Sequence, residues 1–331
     1  MKRALRLFAI VLVLVGAALV FRGVDAHALG AAQREVAWPT LGAALALNFV
    51  ALALQGARWQ ALLRPVGDAR FVPTTLALLS GFAASLVLPA RGGELVRVEA
   101  LARRSAVPRA TLLGSLAADH LVNGVALLAP MTALVFVGGL PLWTRRAAAI
   151  GVPAVLALGA AAWALATHGA GLSDPSARGP QGRGRRAATA WRARLFALRA
   201  GLAGVRRPRA LAVSTAWALA AWGVEVLVTH LTMLACGVDV GYAGAVVVLL
   251  AVNFALLAPA PPANLGSFEV GAVLALGSLG VERDRALAVA LVFHALHMLP
   301  VSVAGAAVWL GYFRRQPIAA SSESAGSRRW A

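Results

Sequence analysis

The sequence predicts an all-α polytopic membrane protein, and three observations carry that prediction. First, 60% of the 331 residues are hydrophobic and 13% are charged, with a mean hydropathy of +0.76. A soluble domain carries about 25% charged residues. Second, apolar windows of about 20 residues recur along the chain, the length a helix needs to cross a bilayer. Third, these runs are continuous and do not alternate with a period of two, so helices rather than barrel strands are expected. The net charge of +18 belongs to loops between spans, where arginines set topology. Nucleic acid is therefore not an expected partner. Cys236 is the only cysteine, which excludes an intrachain disulfide or a cysteine-cluster metal site.

The first span is expected over residues 5–21. "MKRALR", an apolar run and "AHA" (Ala26–Ala28) also fit a cleavable signal peptide; Arg22 and Asp25 weigh against it. Further full spans are expected over 41–63, 111–137, 147–167, 210–234 and 286–312. Residues 74–88, 243–257 and 270–279 are apolar but short for a crossing. If the short segments form two re-entrant half-helix units, the basic residues sort sharply. Of the 31 Lys and Arg residues, 25 fall on one side and 6 on the other. The richer side is then cytoplasmic, with both termini on it. Among those 25 are eight arginines from Arg58 to Arg109, assigned to loops. Six full spans plus two re-entrant segments is the expected architecture of a single transmembrane domain, 1–315. A disordered cytoplasmic tail is expected over 316–331.

The longest loop, 169–209, divides in two. Residues 169–188 are rich in Gly, Pro and Arg and are expected to be flexible. In the second half Trp191, Leu195, Leu198, Leu202 and Val205 step by three and four, with Arg192, Arg194, Arg199 and Arg206 off the stripe. That is an amphipathic helix suited to an anionic cytoplasmic surface; a helix packed on other loops is the alternative.

Two stretches share one design. "LPARGGE" and "PPANLGSFE" each run from proline through small residues and glycine to a glutamate that opens an apolar helix. Glu94 is followed 26 residues later by His120, and Glu269 25 residues later by His294. In the topology above the spans carrying these histidines run in opposite directions, which makes an inverted repeat. Such repeats with broken helices mark transporters whose site lies near the midplane.

Polar residues inside the spans are expensive and face a cavity or a partner. Thr111, Ser115, Asp119 and Asn123 step by four and form one stripe, flanked by His120. Glu225 and Thr229 share a face, with His230 beside them. His294 and His297 are three apart in the last span. Asp119, His120, Asn123, Glu225, Asn264, Gly266, Glu269 and His294 are the candidates for a transport path. An ion pair, such as Asp119 with His120 or an arginine, is the structural alternative. No nucleophile, phosphate-binding loop or nucleotide motif is present, and neither a cofactor nor a metal is expected.

Pro89-Ala-Arg91-Gly-Gly-Glu94-Leu-Val-Arg97 resembles the P-x-R-x-G-E-x-x-R motif of the lysylphosphatidylglycerol synthase transmembrane region, a flippase-like family. The second stretch resembles that family's P-x-x-P-G-G-x-G-x-x-E motif at Pro259, Pro262, Ala263, Asn264, Gly266 and Glu269, with Ala263-Asn264 in place of Gly-Gly. The family's Glu-Arg-x-x-Asp positions read Asp119-His120-x-x-Asn123 here. The resemblance spans about residues 5–312. Larger members append a soluble aminoacyltransferase domain that these residues do not contain. The resemblance therefore implies lipid translocation or an accessory role rather than synthesis.

The expected function is binding a phosphate-bearing lipid and moving it across the cytoplasmic membrane. A helix opening near Gly92 and Gly93 would offer free N–H groups to a phosphate. Arg91 and Arg97 would add charge, and Glu94 would offset it or meet a cationic group. The partners are then membrane lipids and, in one reading, a separate lipid-modifying enzyme. A membrane-embedded transferase and a scaffold subunit for a synthase are the competing readings. Asp119→Asn and Glu225→Gln are expected to fold, with at least one of them losing transport.

Overall fold

The computed structural model describes residues 36–88, 92–135, 141–168, 195–256 and 262–313, all-helical apart from turns. The expected span at 5–21, Arg91, residues 169–194 of the long loop and the expected tail lie outside the described residues.

Among the described residues eleven helices follow in order. They are α1 (Trp38–Leu63), α2 (Phe71–Ser85), α3 (Gly92–Ala102), α4 (Arg109–Val135) and α5 (Leu142–His168); α6 (195–201); and α7 (Ala203–Arg206), α8 (Pro208–Ala235), α9 (Gly241–Ala255), α10 (Ser267–Ser278) and α11 (Arg283–Val308). A 3₁₀ turn, Pro262–Asn264, precedes α10, and a π turn, Trp309–Phe313, continues α11. Four helices, Trp38–Leu63, Arg109–Leu134, Pro208–Ala235 and Arg283–Phe313, are long and apolar enough to cross a bilayer. α5 contains the expected 147–167 span and, at 27 residues, is about 40 Å long. The chain is a multi-pass membrane protein.

The order long–short–short–long occurs twice. α1 to α4 have 26, 15, 11 and 27 residues; α8 to α11 have 28, 15, 12 and 26. The two leading helices, α1 and α8, run antiparallel. The Ala37 N–H donates to Ala235 O at one end (2.8 Å), and Ser214 Oγ donates to Arg58 O at the other (3.2 Å). Those contacts are about 32 Å apart along α1, close to the hydrocarbon thickness of a bilayer. Equivalent helices that run in opposite directions are the geometry of an inverted repeat.

Within each half the short helices fold back on each other as a hairpin, and glycine permits it. A Cβ on Gly93 would lie 2.2 Å from Gly81 O and 2.1 Å from Ser85 Oγ. A Cβ on Gly271 would lie 3.0 Å from Ala251 O and from Ala255 Cβ. Without a hydrophobic drive between helices in lipid, such close approach of backbones supplies the packing. The halves also interlock, since Gly305 of α11 packs on the Leu79 carbonyl of α2.

The amphipathic stripe after the long loop does not lie free on a surface. Gly201 packs on Thr111 and Ser115 of α4, Gly204 packs on Leu62 of α1, and Val205 enters the core. Two of the expected apolar positions take part differently: Leu198 is exposed, its carbonyl facing Gly114, while Leu202 is half-buried against the core. Small residues and the C-terminal part of the stripe together dock this segment.

Candidate functional site

The site is built on the inner ends of the two hairpins and on the helices that follow them. In the first half α3 supplies Glu94 and Arg97, α4 supplies Ser115, Asp119, His120 and Asn123, and α1 supplies Arg58 and Trp59. Asp119 has no exposed surface. Arg58 holds it with both arms, Nε donating to Oδ1 (2.8 Å) and Nη2 to Oδ2 (3.1 Å). Arg97 Nη2 donates to the same Oδ2 at 3.1 Å. Arg58 Nη1 also donates to Asn123 Oδ1. The Arg97 guanidinium lies 3.9 Å from the centroid of the Trp59 ring, whose Nε1 donates to Ser115 Oγ at 3.1 Å.

This arrangement corrects one expectation and gives a second residue its partners. Arg97, expected to help hold a head group, is buried and divided between Asp119 and Glu94, whose Oε2 lies 3.6 Å from Nη1. Arg58 was counted among loop arginines, yet it lies inside α1 and is buried. Asp119 has arginine partners after all, drawn from α1 and α3 rather than from its own apolar stretch. Two buried guanidiniums and two carboxylates balance in charge, which is the condition for keeping them at this depth.

Glu94 also turns outward. Its Oε1 lies 3.3 Å from His120 Nε2, and the side chains are 31% and 43% exposed. The second half repeats this pair in closed form. His294 Nδ1 lies 2.6 Å from Glu269 Oε1, with the side chains 7% and 3% exposed. Glu269 Oε2 accepts from the Gly266 N–H at 2.7 Å, capping α10. His294 Nε2 lies 2.8 Å from Ala263 O, and Phe268 stacks on the imidazole at 4.5 Å. Ala263 and Asn264 hold φ of 59° and 58°, a left-handed conformation that glycine adopts without cost. Asn264 and Gly266 thus form the turn over the dyad.

Glu225 joins the halves. Its Oε2 lies 3.1 Å from His297 Nε2, and its Oε1 accepts from Gln55 Nε2 at 3.4 Å. Gln55 and Arg58 are three residues apart on α1, and His297 and His294 are three apart on α11. With those two steps spanned by one turn of helix rather than by a hydrogen bond, a polar thread runs from Glu269 through the two histidines, Glu225 and Gln55 to Arg58, Asp119, Arg97, Glu94 and His120. All the predicted path residues lie on this thread or border it. Gly92 and Gly93 open α3 beside Glu94; Arg91 lies outside the described residues. His294 and His297 serve different carboxylates, and no group of three or more metal-ligating side chains forms among the described residues.

Sequence reasoning missed Arg58, Trp59 and Gln55. The available signal was position. Arg58 stands five residues inside the end of the expected 41–63 span, deeper than a loop arginine needs to be.

The family model of the lysylphosphatidylglycerol synthase TM region matches residues 6–305. The chain belongs to that family. No curated protein matches it.

Proposed function

We propose that this member of the lysylphosphatidylglycerol synthase transmembrane family binds a phosphate-bearing lipid, of the phospholipid or polyprenyl-phosphate type, and moves its head group across the cytoplasmic membrane. Membership supports a lipid-related role in the membrane. The observation that carries the finer reading is the unequal state of two equivalent units. Each unit is a glycine-packed hairpin followed by a Glu–His pair. One pair, Glu94–His120, is open, and the other, Glu269–His294, is closed. Two inverted copies held in different conformations are what alternating access requires, because exchanging their conformations moves the opening to the other face.

In this reading the head group enters beside Gly92, Gly93 and Arg91. The N–H groups at a helix start and its positive dipole end attract phosphate, and α3 opens at this point. Arg91 supplies the planar fork that matches it. Glu94 and His120 border the entry, while Arg97 sits one turn deeper and holds α3 to Asp119. Glu225, Glu269 and His294 continue the path, with Asn264 and Gly266 as its far turn.

The test uses the full chain in vesicles of phosphatidylethanolamine and phosphatidylglycerol, with a fluorescent phosphatidylglycerol quenched from outside. Wild type should expose the inner-leaflet probe, and Arg91→Ala should not. Product formed from an added donor would favour a membrane-embedded transferase. Movement only with a separate enzyme present would favour a scaffold.

A further inference from the structure

Each imidazole in the second half meets two groups that only accept. His294 has Ala263 O at 2.8 Å from Nε2 and Glu269 Oε1 at 2.6 Å from Nδ1. His297 has Phe293 O at 3.1 Å from Nδ1 and Glu225 Oε2 at 3.1 Å from Nε2. A peptide carbonyl has no proton to give, so the ring nitrogen facing it must carry one. A neutral imidazole has only one N–H. The contact with the carboxylate then needs a second proton, on the ring or on the carboxyl oxygen. Both placements leave the dyad with no net charge. Removing that proton leaves two facing lone pairs and one uncompensated negative charge inside the membrane, which is costly.

We propose that Glu269–His294 and Glu225–His297 are proton-binding sites in series, and that the protein carries protons through them in step with its lipid. The ligand is the hydron itself, taken up from bulk water and released to the other side. No bond other than N–H or O–H forms or breaks. The surroundings leave the histidines as the cations for these acids. α2 carries no titratable side chain, α10 brings only Glu269, and α9 brings only Tyr242. α1 brings Arg58, already held by Asp119 and Asn123. α8 brings Glu225, His230, which stacks on Tyr242 at 4.2 Å, and Arg209 at its start. On α11 itself, Arg283, Asp284 and Arg285 stand in the first turn, about two to three turns from His294.

The proton also has a mechanical consequence. When the His294–Glu269 dyad is deprotonated, the ring can satisfy either Glu269 or Ala263 but not both. If the single N–H turns to Glu269, the Ala263 carbonyl faces a lone pair. The Ala263–Asn264 turn, held at positive φ, then loses the bond that fastens it over α11. Protonation closes this turn and deprotonation frees it, which ties the occupancy of the proton site to the closed unit of the repeat.

The proton sites stand independently of the transport reading, but the coupling rests on it, and two measurements separate them. In the first, the purified full chain with ¹⁵N-labelled histidine is titrated from about pH 5 to 9, the range in which histidine changes charge. There are six histidines, and His294→Gln and His297→Gln assign the two signals. Each ring should go from two protonated nitrogens, or one strongly shared proton, to one. Glu269→Gln should alter only His294, and Glu225→Gln only His297. Ring signals constant across the range and indifferent to both amide variants would overturn the proton sites. In the second, the same vesicles carry a pH-sensitive dye inside. An imposed pH gradient should drive proton entry and speed movement of the fluorescent phosphatidylglycerol, and each amide variant should cut proton entry at least about tenfold. Probe movement at one rate with or without the gradient would overturn the coupling and leave lipid transport standing. Proton entry with no probe movement at any gradient would overturn lipid transport and leave the proton sites standing.

Discussion

Asp119→Asn is the substitution that tests the buried network. The side chain has no exposed surface and accepts three bonds, two from Arg58 and one from Arg97. With Asp119 ionised, two guanidiniums are balanced by Asp119 and Glu94. The amide keeps the shape but removes one negative charge, and its NH₂ group points a donor at a guanidinium that can only donate. Breaking a buried pair by neutralising one partner costs about 3–5 kcal/mol. A loss near 4 kcal/mol lowers the folded-to-unfolded ratio roughly a thousandfold. The variant should therefore insert poorly and unfold at lower denaturant, followed by circular dichroism in detergent. This differs from the expectation drawn from sequence, that the amide folds and loses only transport. A double variant with Arg58→Gln should recover part of the loss, because it restores charge balance. An Asp119→Asn protein as stable as wild type would refute the network as a structural clamp and return Asp119 to the transport chemistry. Glu225→Gln is the contrast. Its partners are a histidine and an amide, so stability should change by no more than about 1 kcal/mol.

Three further outcomes are expected. Arg91→Ala should lose bound lipid in mass spectra of the purified protein, and Arg91→Lys should regain it only in part, because lysine lacks the planar fork. Single cysteines at Ala102 and Ala260 should label from opposite faces with an impermeant maleimide. Wild type should stay unlabelled at neutral pH, because Cys236 is buried and burial pushes its thiol up to about 11. Gly93→Ala should cost about 1–3 kcal/mol by forcing α3 from the Gly81 carbonyl. Gly223→Ala, which meets nothing within 4 Å, should be neutral or slightly stabilising in an unfolding titration.

What the sequence made legible and what it hid divide along one line. Features that live on a single helix were readable. The span positions follow from hydropathy: 41–63 became α1, which starts three residues earlier, and 111–137 became α4, which starts two residues earlier. The polar stripe Ser115–Asp119–Asn123 follows from helical period, and the matched spacing from glutamate to histidine gave the repeat. Both of those pairs form, Glu94 with His120 and Glu269 with His294. Features that depend on which helices meet were not readable. Nothing local says that Arg58, 61 residues from Asp119 in sequence, sits against it, or that Gln55 reaches Glu225. The positive-inside rule, sound for a count of 31 basic residues, has no power over a single one. It placed Arg58 and Arg97 with the loops because most of their neighbours in sequence are there.

The Ala263-Asn264 pair shows the same division from the other side. Read locally, replacement of Gly-Gly by Ala-Asn looks like decay of a turn motif, since both positions need positive φ and a Cβ disfavours it by about 1–2 kcal/mol per residue. Asparagine tolerates that region better than most residues, so the greater cost falls on Ala263. In the fold that same residue is the one whose carbonyl meets His294 Nε2. A hydrogen bond to a charged donor is worth about 1.5–3 kcal/mol, enough to offset the strain while the imidazole is protonated and not when that donor is lost. Glycine at both positions would hold the turn in either state. The alanine makes the turn depend on the histidine, so a departure that reads as a weakened motif in sequence gives the closed unit of the repeat its sensitivity to one proton.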